Sequence, residues 1–324
     1  MRTHTSLRGV STAALVAACL ATGALAQTYP VKTVRVIVPT GASGGADMQG
    51  RLMCRRFTES MGQSFFVDNR PGASGIIGAE TVAKSAPDGY TLLVTSSLIA
   101  VATAVYQKLP FDALKDLAPV GQIASAPQVL VVHPSVPARS VKELVALAQR
   151  QPGKLNAGSA GTGSVNYIAL EMLRQAAGIR VTHVPYKSGA AAATALMSGE
   201  VDLMLTGAVQ AQPLIRSGRA RALAVTSSKP SPAVPDVPTM DSIYPGFISA
   251  NWYAMFAPAG TPAAIIARLN SEIVSAIRTP EIRDFITREG AEPVGSAPQE
   301  FAAYLRSEIE RYARVAKAAN LRVE

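Results

Sequence analysis

Val34-Arg35-Val36-Ile37-Val38-Pro39-Thr40-Gly41-Ala42-Ser43-Gly44-Gly45-Ala46-Asp47 is the stretch on which the fold is read. A β-branched run gives way to small and polar residues. A segment with Leu52, Met53, Phe57 and Met61 at helical spacing then follows. Strand, small-residue turn and helix form the opening unit of an α/β domain. A turn at the carboxyl end of a strand is where open α/β sheets bind ligands. Amides exposed at the start of the helix suit a carboxylate or phosphate, and small residues let it approach the backbone. Ser43, Gly44, Gly45, Ala46 and Asp47 are therefore candidate ligand contacts. Asp47 could instead cap the helix, and the whole stretch could be a plain tight turn.

The same grammar continues outward. Phe65 to Val67 and Thr91 to Val94 read as strands with a helical segment between them. Val129 to Val132 is another strand, leading to Ser140-Val141-Lys142-Glu143, a capping box. Asn156-Ala157-Gly158-Ser159-Ala160-Gly161-Thr162-Gly163-Ser164 repeats the strand, small loop and helix pattern. It supplies a second set of candidates: Ser159, Ala160, Gly161, Thr162 and Ser164. Two such loops could face each other and grip one anion without Lys or Arg. Val181–Val184, Val201–Leu205 and Ala222–Val225 are strands, with a helix from Gly189 to Met197. The alternation predicts mainly parallel sheets covered on both faces. Pro230 to Pro238 reads as a surface loop and Trp252 to Phe256 as a further strand. Three helices open at Thr261-Pro262, at Thr279-Pro280-Glu281 and after Pro298. Trp252, the only tryptophan, could stack on a ligand or pack in a core.

The N-terminus points to export. Arg2 and Arg8 precede an apolar run from Ala13 that ends in Ala24-Leu25-Ala26, a signal-peptidase pattern. Residues 1–26 are expected to be removed near Ala26, leaving a periplasmic protein. Val16-Ala17-Ala18-Cys19 offers a competing lipobox reading. Cleavage after Ala26 leaves Cys54 as the one cysteine, so no intrachain disulfide is expected. A mature chain of about 300 residues suggests two domains. The formal net charge of +9 is dispersed along the sequence, often beside Glu, without a basic stripe and interleaved aromatics. Nucleic acid is therefore not an expected partner.

Enzymatic motifs are lacking. There is no P-loop, and Gly161-Thr162-Gly163-Ser164 lacks the third glycine of a dinucleotide fingerprint. Gly158-Ser159-Ala160-Gly161 is not a nucleophile elbow. His133 and His183 read as structural, and no zinc spacing occurs. The expectation is no enzyme, no metal and no cofactor. An exported hydrolase would need a nucleophile with a base, and the sequence presents none.

The ordered set Gly44 to Asp47, Asp68-Asn69-Arg70-Pro71-Gly72-Ala73, Ala86-Pro87-Asp88-Gly89-Tyr90, Gly158 to Gly161, His183-Val184-Pro185-Tyr186-Lys187, Phe256-Ala257-Pro258-Ala259-Gly260-Thr261-Pro262 and Gly290-Ala291-Glu292-Pro293 resembles the tripartite tricarboxylate transporter receptors, the Bug proteins. The resemblance spans the mature chain. It implies a periplasmic-binding-protein-like α/β fold with two lobes around a ligand cleft and a hinge of crossing strands. Residues 27–125 plus 251–324 would form lobe 1 and residues 126–250 lobe 2. It also implies that a small carboxylate, an organic acid or an amino acid, is held by amides and hydroxyls of the two loops. A monomer would then deliver it to membrane permease subunits, or alternatively to a signalling partner. Ala42 and Ser43 depart from the family's first loop, and Tyr167 stands where a His is frequent, so ligand selectivity is open at these positions.

Overall fold

In a computed structural model the described residues are 29–42, 44–232 and 234–321. The expected leader with its expected cleavage point near Ala26 and Cys19, and Ser43 of the first loop, lie outside them.

Strand β1 (Val34–Val38) is buried along nearly its whole length and pairs in parallel with β2 (Phe65–Asn69) and β3 (Thr91–Ser96). Helix α1 (Gly45–Met61) lays Leu52, Met53 and Phe57 on this sheet and stops at Gly62. Helices α2 (Ile76–Ala83) and α3 (Leu98–Val105) cover its other face. The next strand, β4 (Leu117–Val132), belongs to two sheets. From Leu117 to Pro127 it runs antiparallel to β9 (Ala250–Pro258), which in turn pairs with β3. From Gln128 onward its partners are β7 (Leu203–Gly207) and β8 (Arg221–Val225). Pattern reading finds only the last four residues of β4, because Pro119, Gly121 and Pro127 argue against a strand. The register shifts at Pro119/Gly121 and Gln122/Ala124 show how the ladder accommodates part of that run.

The second sheet continues from β7 to β5 (Asn156–Ser159) and β6 (Thr182–Pro185), all parallel. Its helices are α4 (Val141–Arg150), α5 (Val165–Ala177), α6 (Gly189–Ser198) and α7 (Ala208–Arg216). The chain returns through β9 and ends with α8 (Ala263–Arg278), α9 (Pro280–Arg288), β10 (Glu292–Pro293) and α10 (Pro298–Ala318). Each sheet is thus mixed. Parallel βαβ units make up its outer strands, while β4 and β9 run antiparallel to their neighbours.

Local chemistry explains the helix starts. Ser140 Oγ accepts from the Glu143 amide, while the Glu143 carboxylate reaches one residue further back, to the Arg139 amide at 2.6 Å. Pro280 and Pro298 occupy first-turn positions, where no amide is needed. Trp252 takes the core reading: it is fully buried, meets Phe301 edge-on at 5.4 Å and donates to Glu308 at 3.2 Å. Glu308 is itself buried, pairs with Arg311 and accepts from the Tyr312 hydroxyl at 2.6 Å. The described residues of the 230–238 stretch carry no helix or strand, yet Ser231 and Val234 are buried within it. No described helix is long and apolar enough to cross a membrane.

Candidate ligand-binding cleft

Strands β1, β5, β6 and β7 each deliver the chain into a helix, and the first residues of all four helices line one cavity of about 370 Å³. Gly45 of α1 lies on one side; Val165 of α5, Gly189 of α6 and Ala208 of α7 lie on the other. Every helix leaves its first amides without intrahelical partners and carries partial positive charge there. In α5 and α6 a serine satisfies one of those amides. Ser164 Oγ accepts from Tyr167 at 3.3 Å, and Ser188 Oγ from Ala191 at 3.2 Å. Helices α1 and α7 start instead at Gly44 and Gly207, with no side-chain cap.

The floor comes from the crossing strands. Gln128 and Ala126 of β4 and Asn251 and Tyr253 of β9 line it. Gln128 is buried, donates to Ser249 Oγ at 3.0 Å and accepts from Asn166 Nδ2 at 3.0 Å. Asn166 also donates to the Leu205 carbonyl at 2.8 Å, which ties α5 to β7. Asn251 accepts from Ser97 Oγ at 2.8 Å and donates to the Tyr253 hydroxyl at 3.0 Å. A carbon added at Gly45 would collide with the Tyr253 ring, so glycine is required there for α1 to start against the phenol. Burial, aided by the Glu289 carboxylate, pushes the Tyr253 phenol up to about 12, so it stays a neutral donor.

Two features of the lining are chemical signals. Gln49 is buried, and its Oε1 has no hydrogen-bond partner among the described residues. Glu289, in the turn after α9, and Tyr253 are the ionisable side chains of the lining, with no Lys, Arg or His. The neighbouring Gly290 holds a positive φ of 66° and packs so tightly on the start of α7 that a Cβ would lie 2.9 Å from the Val209 amide. The two halves of the molecule therefore touch at the cavity rim.

The residues singled out from sequence divide into groups. Gly45 and Ala160 line the cavity, and Gly44 is the α1 N-cap. Ala46 is packed in the core beneath α1. The Asp47 carboxylate accepts from Arg51 at 2.9 Å and Asn69 at 2.9 Å. Ser164 caps α5 and donates to the Gly161 carbonyl at 2.7 Å; Gly161 takes a φ of 98°, and Thr162 is exposed. Sequence reasoning missed Gln49, Gln128, Asn166, Asn251, Tyr253, Gly207 and Glu289. Except for Gly207, none lies in a small-residue strand-to-helix turn. The one available signal was the glycine at each end of a strand-to-helix turn.

One pair was invisible at a separation of 24 residues. Ser159 Oγ lies 2.7 Å from His183 Nε2. The sequence therefore conceals a serine beside a potential base. Ser159 is fully buried, however, and its Oγ also accepts from the Gly161 amide at 3.0 Å. His183 stacks on Tyr167 with centroids 4.0 Å apart. Burial first, and then the Arg174 charge, push His183 down to about 4. No His183–carboxylate bond or ion pair occurs among the described residues, so the arrangement is a packed polar pair and not an exposed nucleophile with an oriented base. Tyr167, buried in that stack, does not line the cavity. No group of metal-ligating side chains occurs among the described residues.

The chain is similar to proteins of known family. The family model of tripartite tricarboxylate transporter receptors matches residues 50–321. Protein BugT of Bordetella pertussis is 35% identical over 295 residues, 90% of each chain. Among solved structures, R. palustris Rpa4515 with adipate aligns with a TM-score of 0.79 at 35% identity, covering 91% of this chain and 99% of that one. MatC (Rpa3494) from Rhodopseudomonas palustris with bound malate aligns at 0.75 and 34% identity, covering 89% and 99%. Profile, relatives and fold agree over nearly the whole described length, and the chain belongs to the tripartite tricarboxylate transporter receptor family.

Proposed function

We propose that this receptor captures a small carboxylate in the periplasm and delivers it to the membrane subunits of a tripartite tricarboxylate-type transporter. One observation carries the reading: a cavity walled by four helix N-termini, two of them uncapped, with no cationic side chain in its lining. Such a wall offers fixed amide donors and partial positive charge to one anion, without the desolvation cost of burying a lysine or arginine. The acids bound by Rpa4515 and MatC support the same chemistry.

The site comprises the loop from Ser43 to Asp47 and the loop with Ser159, Ala160, Gly161, Thr162 and Ser164, with Gly45 and Ala160 nearest the ligand. The first-turn amides of α7 and the Tyr253 hydroxyl complete it. The lobes are residues 27–125 with 251–324 and residues 126–250, a division supported by the switch of β4 from β9 to β7 between Pro127 and Gln128. The mature chain starts after cleavage near Ala26 and works as a monomer without a cofactor. It performs no chemistry, a reading supported by the burial of Ser159. Closure around the ligand assembles a surface from both lobes for the permease to recognise.

A thermal-shift screen of ligand-stripped protein against monocarboxylates, dicarboxylates and amino acids tests this. A ligand that binds only the folded state raises stability by about 2.7 kcal/mol at a hundred times its Kd. No shift with any acid would refute the carboxylate reading. Turnover of an ester panel that vanished in Ser159→Ala would refute the absence of chemistry.

A further inference from the structure

We propose that the acid held in this cavity carries a protonated amine, recognised by Glu289, and that a second carboxylate in its place is rejected. This rests on the carboxylate reading above and adds the other end of the ligand.

The argument begins with where Glu289 sits. It caps the C-terminus of α9, where helix carbonyls already concentrate negative charge, so a carboxylate there costs helix stability. Its side chain makes no hydrogen bond or ion pair with the described residues, although it lines the cavity. The adjacent Arg288 lines a neighbouring groove with Arg51 and Arg55, which adjoins the cavity at Met48 but does not place a cation in the cavity lining. The turn is held by Gly290, whose contact with the start of α7 fixes where Glu289 points its backbone. An acid kept at an unfavourable helix position, unpaired and on the wall of a binding cavity is an acceptor awaiting a donor.

A second, independent observation agrees. Gln49 is 2% exposed and lines the same cavity, and its Oε1 lacks a partner among the described residues. A buried unpaired acceptor is costly, and a ligand N–H would satisfy it. Donor sites, meanwhile, include the uncapped α1 and α7 amides and the neutral Tyr253 hydroxyl, which suit a carboxylate. Glu289 lies near enough to Tyr253 for its charge to act on the phenol. A ligand with its carboxylate at Gly45 and an ammonium beside it would meet both ends of this field. A dicarboxylate would set a second negative charge against Glu289 with no cation in the lining to offset it.

The test is calorimetric titration of the full mature chain with matched acids: butanoate, succinate, 2-aminobutanoate and 4-aminobutanoate, then hexanoate, adipate, 2-aminohexanoate and 6-aminohexanoate. An amine-bearing acid is expected to bind about ten-fold or more tightly than the plain acid and the diacid of its length. Glu289→Gln is expected to bring that ratio within about three-fold. The variant should melt at or above the wild type, since it removes a negative charge from a helix C-terminus, so a lost preference reports recognition. Plain acids or diacids binding as well as the amine-bearing ones would overturn the inference and leave the carboxylate reading standing. So would an unchanged ratio in Glu289→Gln. If no acid in either series binds, or if butylamine binds as well as any acid, both fall.

Discussion

Gly45→Ala is the sharpest test of how the cavity is built. Gly45 begins α1 with a backbone that any residue can adopt, so on helix propensity alone alanine should stabilise by about 0.5–1 kcal/mol. The structure predicts the opposite. An added Cβ would lie 2.6 Å from Tyr253 Cζ and 2.9 Å from Cε1, where ordinary contacts begin at 3.4 Å. The ring must retreat by about 1 Å to relieve this. Its strand cannot follow, because Tyr253 is paired with Ser96 of β3 on one side and Ala124 of β4 on the other. Overpacking of this kind costs about 1–3 kcal/mol. The net expectation is a loss of about 1 kcal/mol, the middle of the overpacking range less the middle of the propensity gain, read as a lower urea midpoint. The displaced phenol would also enter the cavity, and ligand affinity should fall at least ten-fold, or about 1.4 kcal/mol. In a Tyr253→Leu background the collision partner is gone, and Gly45→Ala should become neutral or stabilising. A single variant with wild-type midpoint and affinity would refute the reasoning, as would the same loss in both backgrounds.

Gln128→Leu should lower stability by about 2 kcal/mol, because Ser249 and Asn166 lose a buried partner at 3.0 Å each; the denaturation midpoint checks this. Cys54 is 5% exposed, and burial pushes its thiol up to about 12, so native protein should resist a thiol reagent at pH 8 and react at the rate at which α1 opens. Labelling as fast as in urea would contradict that packing. His183 has a folded pKa of about 4, below its ordinary 6.5, so the unfolded chain takes up the proton first. Stability should therefore be full above pH 6.5 and decline as pH falls towards 4. His183→Asn should flatten that part of the profile, and an unchanged slope would show that other groups set it.

The α/β alternation, the helix starts at Ser140, Pro280 and Pro298, and the glycine-rich turn before α1 were legible because each depends on neighbours within a few residues. Helix α3 was not read, since Leu98 to Val105 is apolar at every position but Thr103 and so shows no polar–apolar periodicity. Helix α7 was obscured by Pro213 inside it, and the first half of β4 by its prolines and glycine. Likewise the Ser159–His183 pair came from two parallel strands, β5 and β6, lying side by side.

By itself the sequence determined that this is an α/β chain with two small-residue loops that each open a helix, because propensity, capping and turn chemistry act locally. Only the tertiary structure decided that four helix N-termini meet at one cavity, which of them are left uncapped, and that Gln49, Tyr253 and Glu289 share its wall. Those residues come from segments as far apart as α1 and the turn after α9. Their meeting depends on β4 and β9 crossing between the sheets, a long-range pairing for which no local pattern in the chain provides a signal.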